Sequence, residues 1–70
     1  MKYESKIIRY TGPQPGTGDV FPAVVETETG LAAPHMTTQV ADMAAESMNE
    51  GTLGTDGYHW WPPTIWELAE

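Results

Sequence analysis

Alternating side chains near the start of the chain predict two strands. Residues 3–10, YESKIIRY, alternate imperfectly, and residues 20–29, VFPAVVETET, repeat the pattern with apolar side chains at every second position from Phe21 to Val25. A period of two is typical of a strand with one buried face. Pro22 lacks the N–H group that a sheet ladder needs, so it indicates either an edge strand or the first residues of a strand.

The segment between these strands, residues 11–19, is predicted to be a flexible loop. Its sequence TGPQPGTGD holds three glycines and two prolines in nine positions. Glycine and proline at this density interrupt regular structure. The segment is long for a hairpin connection, which is typical of a mobile loop or of a loop that contacts a partner.

A change of period predicts a helix from about Met36 to Asn49. Apolar or small side chains recur every three or four residues and form one stripe: Met36, Val40, Met43, Ala44, Ser47 and Met48. Gly51 follows where a helix-ending glycine belongs. The preceding residues 30–34, GLAAP, are interpreted as a turn leading into the helix, with Pro34 suited to the first helical turn.

The C-terminal part of the chain is predicted to form a short strand and a final helical turn. Residues 58–61, YHWW, suit a third strand by residue type, and two prolines end it. Residues 64–70, TIWELAE, are predicted to form one helical turn capped by Thr64. The order β, β, α, β therefore predicts one α+β domain over residues 1–70, a small antiparallel sheet of about three strands packed on one helix.

Three tryptophans lie close together at this end of the chain. Trp60 and Trp61 are adjacent, so on a strand they point to opposite faces, and one helix covers only one face. We therefore expect one of the two to be partly exposed, and Trp66 to fold back over the uncovered face. The rest of the aromatic area is expected to pack under the helix stripe and against Ile7, Phe21 and Val25.

Composition indicates a folded protein with a modest core. Hydrophobic residues make up 40% of the 70 residues, which is above the level typical of disordered chains with high net charge. There is no cysteine, so neither a disulfide framework nor a thiolate metal site is expected. No stretch approaches the roughly 20 apolar residues of a membrane span, and the start MKYESKIIRY is unlike a signal peptide. We expect a cytoplasmic protein without a membrane partner. A homodimer would be one way to add buried area, and this alternative stays open.

The distribution of charge is lopsided. The formal net charge is −7, and the three basic residues Lys2, Lys6 and Arg9 all lie in the first nine positions. Even if each base pairs with one acid, 10 minus 3 leaves seven carboxylates without a cation. Acidity of this size keeps many small proteins in solution. A binding surface is the alternative, and the arrangement of the acids favours it.

Three acids share one face of the predicted helix. Asp42, Glu46 and Glu50 are spaced four apart, with about 6 Å of rise between neighbours. Like charges at this spacing repel, and the dipole at the helix C-terminus disfavours the last two. Local placements that cost stability without local compensation are typical of functional surfaces. We therefore interpret these acids as partner-binding residues.

Five further residues complete the predicted partner-binding surface: Glu26, Glu28, Asp56, Trp60 and Trp61. Glu26 and Glu28 are expected on one face of the second strand, roughly 6.6 Å apart. An exposed tryptophan is a frequent interface anchor. An acidic surface attracts basic groups and repels phosphate, so direct nucleic-acid binding is not expected. The expected partner is a basic protein that itself binds nucleic acid.

No catalytic or metal-binding motif is present. The sequence has no cysteine and no nucleotide-binding or nucleophile fingerprint. His35 and His59 lie 24 positions apart, and no spacing typical of a zinc site occurs. We expect no enzymatic activity, no cofactor and no metal.

Two functions remain from this reasoning. The first is a small acidic inhibitor or adaptor that docks on a basic, nucleic-acid-binding protein. Compact acidic proteins of phages and mobile elements, including anti-restriction and anti-CRISPR proteins, share this size and charge, a comparison that rests on no residue motif. The second is a structural or assembly subunit that self-associates or docks through its tryptophan and methionine side chains.

Overall fold

The computed structural model describes residues 1–69 and has four antiparallel strands and one α-helix. The elements, in chain order, are β1 (Tyr3–Tyr10), β2 (Val20–Glu26), β3 (Leu31–Ala33), α1 (Thr38–Glu50), a 3-10 turn (Pro63–Ile65) and β4 (Trp66–Leu68). Their order across the sheet is β3-β2-β1-β4. The α+β class, with a sheet packed on one helix, is confirmed, and there are four strands where about three were expected.

Strands β1 and β2 form the centre of the sheet, as alternation predicts. They pair antiparallel along seven positions of each strand. Consecutive side chains of β2 are buried on opposite faces of the sheet. Val24 packs against the helix, and Ala23 and Val25 pack on the face away from it. Phe21 and Val25, predicted to lie under the helix, therefore lie on the face away from it.

Pro22 lies near the start of β2, which is a central strand of the sheet. Of the two positions expected for this proline, the edge strand is therefore wrong. Pro22 stands opposite Ile7 of β1, whereas β3 pairs with Val24–Glu26 of β2. Pro22 is therefore beyond the end of the β2–β3 ladder, and its missing N–H group interrupts no pair with β3.

Residues 30–34 contain strand β3 instead of the expected turn and helix entry. Three residues pair antiparallel with the end of β2, and Ala32 also bridges to Trp61. Leucine and alanine favour a helix in isolation, but pairing on both sides of the segment outweighs this weak propensity. The strand predicted at residues 58–61 is reduced to this single bridge.

Strand β4 takes the place of the helical turn predicted over residues 64–70, so that prediction is wrong for the described residues 64–69; Glu70 lies outside them. The short 3-10 turn is followed at once by β4, which pairs antiparallel with the second edge of β1. Thr64 lies inside the turn and does not cap it, since Pro62 precedes the turn. A strand edge with unpaired N–H and C=O groups is a ready template for a further strand, and β1 supplies that edge.

Helix α1 begins and ends at recognisable caps. Thr37 Oγ1 accepts a hydrogen bond from a backbone N–H three residues on, at 3.1 Å, so the helix begins at Thr38 and not at Met36. Pro34 lies before the helix and takes no part in its first turn. Gly51 ends the helix in the left-handed conformation, with φ 80°, as predicted. No helix of the described residues is long and apolar enough to cross a membrane.

The buried side of α1 differs from the predicted stripe. The buried residues are Ala41, Ala44, Ala45 and Met48. Val40 and Met43, both assigned to the stripe, are 49% and 60% exposed. Small alanine side chains allow the helix to lie close to the sheet, and close packing selects the face that fits. This choice turns the two larger side chains outward.

Two buried clusters lie on the two faces of the sheet. Under the helix, Val24 packs with the buried residues of α1, and Trp60 packs against this cluster. The opposite face carries a second cluster: Ile8, Ala23, Val25 and Ala32. Trp61 and Trp66 pack against it. The adjacent tryptophans therefore point to opposite faces, and Trp66 folds back over the face that the helix does not cover, as expected.

Asn49 joins the end of α1 to the start of β1. Tyr3 N donates to Asn49 Oδ1 at 2.9 Å, and Asn49 Nδ2 donates to Tyr3 O at 2.8 Å. One side-chain amide therefore satisfies both backbone groups of a strand residue 46 positions away in sequence. These two hydrogen bonds fix the end of the helix over the end of the sheet.

We expect Asn49→Ala to lower the free energy of unfolding by about 1–3 kcal/mol, because it leaves two part-buried backbone groups of Tyr3 without partners. Urea unfolding followed by tryptophan fluorescence measures the change. Gln39→Ala is the matched control, since Gln39 is exposed on the same helix. Equal stability of the two variants would contradict this role for Asn49.

Candidate functional site

Asp42, Glu46 and Glu50 lie on one exposed side of α1. Successive helix residues are rotated by about 100°, so these three fall in a row between the buried side and the outer side. Asp42 lines a groove with Ser5 of β1 and Leu68 of β4, which places the start of the row on the β4 side of the helix. We call these three acids the acidic flank.

The other exposed side of α1 is apolar. Val40, Met43 and Ser47 line a groove of about 230 Å³ with Leu53 and Tyr58 of the following segment. We call it the apolar groove. Met43 and Glu46 are three residues apart and are therefore neighbours on the helix surface, so the two features adjoin along the outer surface of the helix.

The three basic residues of the chain pair with acids outside the acidic flank. The N–O distances are 3.9 Å for Lys2–Glu28, 3.3 Å for Lys6–Glu4 and 3.4 Å for Arg9–Glu67. Among residues 1–69, no ion pair reaches the acidic flank, and Glu70 lies outside the described residues. Exposed pairs of this kind stabilise weakly, but together they engage every lysine and arginine of the chain.

The other three predicted acids lie in other elements. Strand β2 ends at Glu26, so the expected pair of Glu26 and Glu28 on one strand face is not formed. Glu28 lies in the turn after β2 and pairs with Lys2. Glu26 stands opposite Tyr3, at the end of the molecule where α1 also ends. Asp56 is exposed in the loop after α1.

The two tryptophans assigned to the contact surface have different surroundings. Trp60 packs between Tyr3 and Tyr58, with ring centroids 6.4 and 6.3 Å away, and its Nε1 donates to Thr55 O at 2.9 Å. Trp61 lies on the opposite face of the sheet and lines a surface pocket. Trp60 therefore belongs to the cluster under the helix, and Trp61 is the one that borders a cavity.

The pocket beside Trp61 has a volume of about 400 Å³, within the range of small-molecule sites. Six side chains define its chemistry: Tyr10, Asp19, Phe21, His35, His59 and Trp61. The ring centroids of Tyr10, Phe21 and His35 lie 5.1, 5.7 and 5.7 Å from that of Trp61. We call this cavity the aromatic pocket.

His35 and His59 meet at the aromatic pocket although they are distant in sequence. Asp19 lines the same pocket, but no group of three His, Asp or Glu in the described part of the chain could hold a metal ion. His35 has φ 70°, a left-handed conformation that is uncommon outside glycine. Its ring packs edge-on against Phe21 and Trp61, and these contacts offset the backbone strain.

Sequence reasoning misses the aromatic pocket because its residues come from separate segments with no common spacing. One signal in the sequence is the segment of residues 11–19, whose length and composition are typical of a mobile loop or of a loop that contacts a partner. This loop folds back on β1, where Gly18 N donates to Tyr10 O at 2.8 Å, and it delivers Asp19 to the pocket. The mobility of the loop stays a prediction.

Comparisons with protein families, with curated proteins and with solved structures give no match for this chain. No relative therefore assigns a role to the acidic flank, the apolar groove or the aromatic pocket. The functional argument rests on the chemistry of these three features.

Glu50→Gln is expected to raise the free energy of unfolding by about 0.2–0.5 kcal/mol at low salt. It removes the repulsion from Glu46 and an unfavourable charge at the helix C-terminus. Glu67→Gln is the control, because it removes one charge but also the partner of Arg9. Urea unfolding at low ionic strength and at about 1 M salt measures both variants. A gain that persists unchanged at high salt, or a loss of stability, would contradict the electrostatic cause.

Proposed function

We propose that this protein is a non-enzymatic binding protein that docks the outer surface of α1 on a basic protein and inhibits it, and that the partner itself binds nucleic acid. The observation that carries the proposal is the position of the acidic flank directly beside the apolar groove. Interfaces commonly combine an apolar centre with a polar rim. Here Val40 and Met43 supply the centre, and three carboxylates supply a rim of one sign.

The sign of the rim favours a basic partner. The lysines and the arginine of this chain are engaged with other acids, so the acidic flank presents its charge to solvent. Cations of a partner would relieve the repulsion between its carboxylates and would fix the register of docking. The negative potential of the whole molecule also increases the rate of association with a basic surface.

A nucleic-acid-binding protein is the partner class that best fits this chemistry, because such proteins arrange lysines and arginines in rows that neutralise phosphates. Duplex DNA carries one charge per about 1.7 Å, whereas the acidic flank carries one per about 6 Å of helix. We therefore propose competition for part of the basic surface and not full mimicry of a duplex. An anti-defence inhibitor encoded by a phage or a mobile element is one form that this activity would take.

Self-association is the second candidate, and the exposed Met43 favours it. An assembly interface built on tryptophans has less support, because Trp60 and Trp66 pack within the chain. A second copy would fill the apolar groove but would also bring its own formal charge of −7 towards the first copy. A basic partner supplies apolar contact without that repulsion, so we favour it.

Neutral substitutions of similar size at the three acids of the acidic flank are expected to abolish partner binding. The flank variant carries Asp42→Asn, Glu46→Gln and Glu50→Gln. The control variant removes the same number of charges from acids that already pair with cations, through Glu4→Gln, Glu28→Gln and Glu67→Gln. Each protein is immobilised, incubated with lysate of the native host and washed at low and then at high salt. Mass spectrometry identifies the proteins released.

One outcome supports the proposal: the wild type and the control variant retain a basic, nucleic-acid-binding protein, and the flank variant does not. High salt should release this protein from the wild type. Equal retention by the flank variant and the wild type, or no retained protein at all, contradicts the proposal. Recovery of this protein alone, resistant to salt, supports self-association instead.

Met43→Ala is expected to weaken binding to that partner about fivefold or more, because it removes the centre of the apolar groove. Stability should change little, since Met43 is largely exposed. Val20→Ala is the matched control, because Val20 is 48% exposed and lies on β2, away from the apolar groove. Isothermal titration calorimetry with the purified partner measures both, and equal affinities would remove the apolar groove from the interface.

A further inference from the structure

The aromatic pocket presents several rings around one indole. Tyr10 and Phe21 have ring centroids 5.1 and 5.7 Å from Trp61, at interplanar angles of 51° and 83°. Trp61 is held in place by backbone pairing with Ala32, so the position of the rings is set by the sheet. The faces of aromatic rings carry partial negative charge and attract a cation within about 6 Å.

Among the described residues, Asp19 is the one carboxylate that lines the aromatic pocket. Within residues 1–69, its carboxylate has neither an ion pair nor a side-chain hydrogen bond. A methyl group built on Gly16 would lie 3.5 Å from Asp19 Oδ2 and 3.7 Å from Tyr10 Cδ2. The carboxylate and the Tyr10 ring therefore flank the same point at the rim of the pocket.

His35 adds a further ring to the wall of the pocket in an unusual backbone conformation. Its φ of 70° is strained for a residue with a side chain. Strained residues persist where surrounding contacts hold them, and they cluster at binding sites. The contacts here are with Phe21 and Trp61, at centroid distances of 5.1 and 5.7 Å.

We propose that the aromatic pocket binds an alkylammonium cation, a methylated or quaternary ammonium group that packs on Tyr10, Phe21 and Trp61 with Asp19 as its counter-charge. Aromatic walls with one carboxylate suit a cation whose charge is spread over methyl groups, because such a cation gains both apolar contact and attraction to the rings. A cavity of about 400 Å³ admits a compact cation of this class. The pocket lies on the sheet face away from α1, so this inference is independent of the proposed function.

Choline is the first probe, and its uncharged analogue, in which a tert-butyl group replaces trimethylammonium, is the matched ligand control. We expect saturable binding of choline in the millimolar range and at least about fivefold weaker binding of the analogue. Proton–nitrogen correlation NMR reports the site, because the indole N–H of Trp61 should shift. The indole N–H groups of Trp60 and Trp66, bonded to Thr55 O and Gly30 O, serve as internal references.

Asp19→Asn tests the counter-charge while the shape of the pocket is kept. We expect it to weaken choline binding about threefold or more and to keep the fold, which the NMR spectrum of the variant reports directly. Asp56→Asn is the matched control, because it removes one charge from an exposed loop and therefore reports the general field of the protein. Three outcomes would overturn the proposal. The two variants bind choline with equal affinity, the wild type binds choline and its analogue equally, or binding does not saturate.

The cation has two potential sources, a free small molecule or a methylated lysine side chain. A short peptide with trimethyllysine, compared with the same peptide carrying unmodified lysine, separates them in the same NMR experiment. Tighter binding of the methylated peptide than of choline would assign the pocket to side chains, and the reverse would assign it to free cations. Shifts at Trp61 that do not distinguish the methylated peptide from the unmodified one would count against alkylammonium recognition.

Discussion

The pairing of Trp61 with Ala32 is the interaction on which most of this structure depends. Two backbone hydrogen bonds, of 3.0 and 2.6 Å, attach the segment after the helix to the outer edge of β3. Since consecutive side chains of an extended segment point to opposite faces, the bridge sends Trp60 under the helix and Trp61 to the other face. One helix cannot cover both faces of a sheet, and this segment supplies the missing cover. The apolar groove and the aromatic pocket both take a wall from it, through Tyr58 and Trp61.

The charges follow from the same topology. The basic residues belong to β1 and the residue before it. Strand pairing brings Glu67 of β4 to Arg9, the turn after β2 brings Glu28 to Lys2, and Lys6 pairs with Glu4 of its own strand. No ion pair among the described residues reaches the helix, although Lys6 lines the same groove as Asp42. Repulsion within the acidic flank costs little because water screens it. The outer surface of α1 therefore carries a charge that no ion pair of the described residues neutralises.

Sequence patterns predict the long elements and fail on the short ones. The alternation of β1 and β2, the helix with its final Gly51, and the opposed tryptophans all follow from local periodicity. Strands β3 and β4 have three residues each, too few for a period, and pairs such as Ile8 with Leu68 depend on contacts across most of the chain. The rotation of α1 about its axis does not follow from the sequence for a similar reason. Two overlapping stripes are possible, and only packing against the sheet selects the one made of alanines. The aromatic pocket has no local pattern at all.

The rotation of α1 explains why an apolar groove stays open in a chain with so small a core. Burying Val40 and Met43 would gain up to about 1.5–3 kcal/mol for each side chain. The rotation needed would carry Asn49 away from Tyr3 and break two hydrogen bonds in a part-buried position, at a comparable cost. It would also turn the alanine face outward and separate the helix from the sheet. The contacts that hold the helix therefore keep these two side chains exposed, and a partner that covers them recovers burial that the chain cannot obtain alone.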